Sequence, residues 1–362
     1  MYLRLAFLLT LASAIALLSD PVPPPKPLQP TPAEYVPPRG YVCYRASGPI
    51  VIDGKLDDAA WKSAPWTDDF VDIEGKQRPK PRYRTRAKML WDDDCLYIGA
   101  EIEEPHVQAT LREHDSVIFQ DNDFEMFLNP DGNSHLYAEL ELNAFNTTWD
   151  LLLPKPYKDG AKAINAWEIT GLRTAVHVDG TINDPSSIDR GWTVEIAWPW
   201  KGLADLTKKP VPPGDGDQWR INFSRVEWEY TIQDGKYVRV KSKNEDNWVW
   251  SPQGIVDMHR PEQWGYVQFS TAAPGSVEFR PDPTGRARHL LHRIYYAQRT
   301  YKEKHGAWAR SLDDLGLSTL TLPELAGPPK LESVGSQFEA SVRLRNGKRC
   351  VIQQDALVTI ED

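Results

Sequence analysis

From residue 41 to about residue 272 the chain alternates apolar and polar positions in short stretches broken by Gly, Pro, Asn and Asp. Period-two alternation marks half-buried strands, and a long series of such stretches predicts an all-β unit. Ala87, Met89 and Trp91 alternate with Arg86 and Lys88, Asp92-Asp93-Asp94 turns the chain, and Leu96, Ile98, Ala100 and Ile102 resume. That is a hairpin with one apolar face. Phe124, Met126 and Leu128 predict another strand, ended by the turn signal Asn129-Pro130-Asp131-Gly132. Leu136, Ala138, Leu140 and Leu142 point one way, and Tyr137, Glu139, Glu141 and Asn143 the other. Trp192, Val194, Ile196 and Trp198 repeat the pattern, Ile221 and Phe223 lie opposite Asn222 and Ser224, and residues 265–269 close the series. The fold class read from this is mainly β: an antiparallel, jelly-roll-like β-sandwich over 41–272.

After Pro274 the period changes. Leu291, Ile294, Gln298 and Tyr301 recur at helical spacing over about 286–304. A second helical turn is predicted at 311–315, with Ser311 as N-cap and Gly316 past its end. Two alternating runs joined by Asn346-Gly347 then predict a hairpin. Residues 286–362 thus read as a small C-terminal α+β extension.

The first forty residues bear on location. A basic Arg4 precedes an apolar run over 5–18, too short to span a bilayer comfortably and suited to the core of a signal peptide over 1–19. An uncleaved anchor is the alternative. Residues 20–40 are proline-rich and read as a semi-rigid linker. The expected location is secreted, periplasmic or on the outer cell envelope.

Charge and motifs narrow the chemistry. A net charge of −9 opposes nucleic-acid binding, and the one basic stretch, Arg78 to Arg86, is short and reads as a solvated loop leading into a strand. No P-loop, G-x-G-x-x-G, G-x-S-x-G or H-E-x-x-H occurs. Cys43, Cys95 and Cys350 give no disulfide framework; a Cys43–Cys95 bridge and free buried thiols are both open. Asp53 and Asp57, in Asp53-Gly54 with Asp57-Asp58, and the Asp92–Asp94 run offer the hard oxygen ligands that calcium takes. Asp121, Asp123, Glu125, Glu139 and Glu141 fall where adjacent strands could gather them, and paired carboxylates perform glycosidic chemistry. The bland alternative is acids on solvated strand faces.

Fourteen Trp are more than a core needs, and an indole face stacks on the C–H patches of a sugar ring. Trp248 and Trp250 stand two apart on one side of an extended segment, with Asn222 and Arg225 on a nearby strand as polar partners. The alternative is that both are core residues.

Seven short blocks in order resemble carbohydrate-binding module family 9. They are Ile52-Asp53-Gly54 with Trp61; Trp91-Asp92 before Leu96-Tyr97-Ile98; residues 121–127 (DNDFEMF); residues 137–143 (YAELELN); residues 191–200 (GWTVEIAWPW); residues 219–225 (WRINFSR); and Trp250-Ser251-Pro252 with residues 261–265 (PEQWG). The resemblance implies a β-sandwich, often with structural calcium, that holds a glycan end between two aromatic rings. It implies that Trp250 is one stacking residue, that Glu125 hydrogen-bonds sugar hydroxyls, and that the second stacking position falls close to Phe119, where the family's sugar binders have Trp. Glu141 stands where the family leads one to expect a basic ligand-contacting residue. The tail is similar to the helix exit of pilin-like subunits. The expectation is an oligo- or polysaccharide binder, not an enzyme, supporting partner glycoside hydrolases. Its rivals are a glycosidase using Glu125, Glu139 or Glu141, and an envelope assembly subunit that works through its tail.

Overall fold

The computed structural model describes residues 34–362. The expected export segment and residues 20–33 of the linker lie outside the described residues. No helix among those described is long and apolar enough to cross a membrane.

Among the described residues, fourteen strands build the main unit: β1 (Gly40–Arg45), β2 (Val71–Asp72), β3 (Thr85–Trp91), β4 (Cys95–Glu103), β5 (Asp123–Asn129), β6 (Tyr137–Asn143), β7 (Thr148–Leu153), β8 (Arg173–Asp179), β9 (Gly191–Pro199), β10 (Gln218–Glu227), β11 (Tyr230–Gln233), β12 (Lys236–Arg239), β13 (Asp246–Val249) and β14 (Gly265–Ser270). One large sheet runs β7-β6-β5-β10-β14-β1-β3-β4-β9-β8, with β13 lying against β10 and β2, while β11 and β12 form a separate hairpin. The sheet curls so that its two halves face each other across one apolar cluster. Phe124, Met126 and Leu140 from one half meet Met89, Ile98 and Ile196 from the other.

Local chemistry accounts for the turns. Asp92 Oδ1 accepts the backbone N–H groups of Asp94 and Cys95 at 2.8 and 2.9 Å, closing the β3–β4 hairpin in the register Trp91–Leu96, Met89–Ile98. Asn129 accepts from the Ser134 N–H and donates to the His135 carbonyl, closing β5–β6. Leu136 departs from the alternation expected of it: it precedes β6, has φ 50° and is exposed.

Two of the sequence blocks meet at Glu195. Its carboxylate accepts the N–H groups of Asp53 and Gly54, each at 2.9 Å, and the indole N–H of Trp61 at 2.7 Å. Gly54 adopts φ 86°, and a Cβ there would lie 2.5 Å from the backbone of Val176 and His177, so only glycine fits.

The sheet is not wholly antiparallel, which corrects the sequence reading. β1 pairs parallel with both β14 and β3. Parallel neighbours need long connections, and almost the entire unit separates β1 from β14. Alternation reports the face a residue occupies and carries no information on strand direction.

The extension comprises α1 (Gly285–His305) and a sheet ordered β15 (Lys330–Val334), β16 (Gln337–Arg343), β17 (Arg349–Gln353), β18 (Val358–Glu361). Leu291, Ile294 and Tyr295 of α1 pack on Phe338, Val342 and Ile352. Gly306 ends the helix at φ 73°, its N–H bonded to the Lys302 carbonyl. The helical turn expected at 311–315 is a hydrogen-bonded turn: the Ser311 hydroxyl accepts the Asp314 N–H, and the Asp314 carboxylate accepts from Ser311. Tyr295 and Arg299 both bond Asp159, and Tyr296 donates to Glu262, tying the extension to the sandwich.

Cys43, Cys95 and Cys350 are free and buried. Cys43 lies in the cluster between the sheet halves and Cys95 in a separate cluster around Trp61, so the open Cys43–Cys95 bridge is not made. The basic stretch before β3 is neutralised locally, Arg82 by Asp246 and Glu229, Arg84 and Arg86 by Glu101.

Candidate functional site

Strand alternation sorts β5 and β6 into an apolar inner face and an outer face bearing Asp123, Glu125, Phe127 and Tyr137, Glu139, Glu141. Register then aligns these residues in rows across the sheet. Ser224 pairs with Glu125, Glu125 with Glu141, and Glu141 with Trp149; Asn222 pairs with Phe127, Phe127 opposes Glu139, and Glu139 opposes Leu151. Three carboxylates thereby form the floor of a cavity of about 260 Å³, near the small end of ligand pockets.

Aromatic rings flank that floor. A short helical turn, Ile118–Gln120, carries Phe119, whose N–H donates to Glu141 Oε2 at 2.9 Å and whose carbonyl accepts from the Trp228 indole. The Phe119 and Trp149 rings stack at 6.5 Å with 30° between planes. Tyr157 and His259 also line the cavity, their rings 4.5 Å apart and nearly perpendicular. Phe119 and Tyr157 remain 39% and 42% exposed, available to a ligand.

Burial dominates the electrostatics. It pushes Glu125 up to about 7, with the charge of Glu245 adding to the rise. It raises Glu139 and Glu141 well above the usual carboxylate range, reinforced by repulsion from Glu125, and it raises Asp123 likewise. Burial lowers His259 to about 4, so the imidazole is neutral at physiological pH. Asp123 Oδ1 accepts the Val226 N–H, while Asp123 Oδ2 and Glu139 Oε2 are buried without a hydrogen-bond partner. Asp121 belongs elsewhere: it accepts from Thr110 and Leu111 and shapes a loop.

Four expectations raised by the sequence are corrected here. Trp250 is 1% exposed, so it offers no stacking surface. Its ring lies in the core beside Phe223 and Tyr41, against Gly265, where an added Cβ would approach it to 2.3 Å. Trp248 shares that inner side, as a two-residue offset requires, and packs on Tyr83 with the Arg225 guanidinium over its face at 5.1 Å. Arg225 is itself fully buried, bonded to Glu227, Thr85 and the Glu103 carbonyl with Glu104 at 3.5 Å, so its charge is spent inside the fold. Asn222 exchanges two hydrogen bonds with the Ser251 backbone and anchors the Trp250-Ser251-Pro252 segment instead of meeting a ligand.

At Asp53 and Asp57, where the sequence raised calcium, the structure shows turn chemistry. Asp53 Oδ1 caps its own turn through the Lys55 N–H, and Asp57 is exposed. Among the described residues neither belongs to a set of three acidic, His or Cys ligands; the sets that do form are His114-Asp115-Glu168 and Asp123-Glu125-Glu141. A β-turn rich in Asp satisfies its own backbone first.

Glu125, Glu139, Glu141 and Phe119 are thus brought together as the sequence suggested. Trp149, Tyr157, Asp257 and His259 complete the cavity and were not anticipated. Trp149 was findable, since Trp149, Leu151 and Leu153 alternate along a strand; the others arrive on irregular segments with no pattern.

The family model described as "Carbohydrate family 9 binding domain-like" matches residues 52–248. Among solved structures, a carbohydrate binding module family 9 from Caldicellulosiruptor kristjanssonii in complex with cellotriose shares 17% identity, covering 68% of this chain and 100% of its own with a TM-score of 0.42. The same description in complex with glucose gives 17% identity, 66% and 99% coverage, and a TM-score of 0.41. Among curated proteins none matches. With more than half of its length matched by the model, the chain belongs to the carbohydrate family 9 binding domain-like family.

Proposed function

We propose that the chain binds carbohydrate in the cavity above β5, β6 and β7. The observation that carries this is the juxtaposition, within a family-9 domain, of accessible aromatic rings at Phe119, Trp149 and Tyr157 with acceptors at Glu125, Glu139 and Glu141. A sugar ring needs both: an apolar face to stack and fixed polar groups for its hydroxyls.

Binding without cleavage is supported by the family, whose matching model describes a binding domain. Export of the mature chain, supported by the basic start and apolar run at residues 1–18, completes the reading, and a binder of this family that is exported would act beside partner glycoside hydrolases.

The test is a glycan array followed by calorimetry on the purified chain. Saturable binding that is lost in Trp149→Ala, with no release of reducing ends over days, is the expected result. Absence of binding to every glycan, or turnover abolished by Glu125→Gln, would reject it.

A further inference from the structure

We infer that the ligand of this cavity carries a positive charge, and that it is an amino sugar with a free, protonated amine; this rests on the carbohydrate-binding reading above. Among the described residues no lysine or arginine lines the cavity, whereas five carboxyl side chains do. Glu125 rises from β5, Glu139 and Glu141 from β6, Asp257 from the segment after β13, and Glu245 from the segment before it. Asp123, behind Glu125, brings a carboxylate oxygen within 4.8 Å of those of Glu125 and Glu141. The nearest titratable base, His259, stands 3.9 Å from Glu139 Oε2 but is neutral, and Lys158 is turned away to the His259 carbonyl and Glu262.

A neutral sugar leaves these carboxyls protonated, as burial holds them. Its hydroxyls bond them but bring no charge, and Glu139 Oε2 is a buried acceptor lining the cavity that nothing in the fold satisfies. An ammonium group answers both needs: three N–H donors for carboxylate oxygens, and a charge that lets them ionise where burial otherwise keeps them protonated. The rings beside the floor favour the same ligand, since an alkylammonium is attracted to the faces of Trp149 and Phe119.

Three β-1,4-linked oligomers of equal length separate the alternatives by calorimetry at neutral pH: glucosamine, N-acetylglucosamine and glucose. They share the backbone and differ only at C2. The glucosamine oligomer should bind roughly tenfold or more tighter than either other, a ratio set by charge-assisted bonding alone. That preference should shrink in Glu139→Gln and Glu141→Gln, each near-isosteric and checked for an unchanged melting profile. Binding should weaken as pH falls from about 7 to about 5, because Glu125 takes up its proton near 7 while the ligand amine, already partly protonated at neutral pH, gains little further charge. Equal binding of the glucose oligomer would overturn the amino-sugar assignment and leave carbohydrate binding standing. So would binding of neutral sugars that is lost in EDTA and restored by calcium ions, since the carboxylates would then hold a metal. Failure of all three oligomers and of the wider array would overturn both.

Discussion

Replacing Trp250 by Ala should destabilise the sandwich as a whole. The indole is enclosed between Phe223, Tyr41 and Gly265, with its own N–H backbone group bonded to the Phe223 carbonyl. A buried indole removes about 200 Å² of apolar surface from water, which at about 25 cal/mol per Å² is about 5 kcal/mol. Residual structure in the unfolded chain reduces that figure, and the cavity left behind raises it again, giving about 3–5 kcal/mol. For a unit of this size the melting midpoint should fall by roughly 6–20 °C, read by circular dichroism or differential scanning calorimetry. Trp149→Ala is the matched comparison: its ring is only half-buried at the cavity wall, and about 1 kcal/mol of stacking on Phe119 is at stake. Trp149→Ala should therefore melt close to the parent but lose glycan binding. A Trp250→Ala protein that melts within a degree or two of the parent would refute this account of the core.

Gly265→Ala should cost about 1–3 kcal/mol in the same assay, because the new methyl collides with the Trp250 ring. Arg225→Ala should cost about 3–5 kcal/mol in denaturant unfolding, since Glu227 and Glu104 would be left buried without their cation. Stability should fall as pH rises from about 4.5 to about 7, because folded Glu125 keeps a proton there that the unfolded chain has lost; Glu125→Gln should raise the midpoint at pH 8 by the equivalent of about 1–3 kcal/mol. His259 acts in the opposite sense, its contribution being complete above about 6.5 and lost as pH falls through about 4, so His259→Gln should soften the acid limb of the same pH series. Arg299→Ala removes the ion pair with Asp159 and should make the extension cleave sooner in limited proteolysis while the sandwich midpoint moves little.

Much of the fold and half of the candidate site were legible in the chain itself. Period two assigned Phe124, Met126 and Leu128 to one face and Glu125 to the other, because a strand presents alternate side chains to opposite sides whatever surrounds it. The same rule put Trp248 and Trp250 on one side together. It could not say which side was inside, and that decided their role: the partner half of the curled sheet covers their face, so both are core. The three glutamates could be placed on neighbouring strands from order alone, but their rows, Glu125 beside Glu141 beside Trp149, exist only once hydrogen bonding sets the register. Tyr157, Asp257 and His259 had no signal at all, since irregular segments reach the cavity by packing and leave no period in the sequence. The charge of Arg225 likewise depends on tertiary structure, because a cation is available to a ligand only where no buried carboxylate has claimed it.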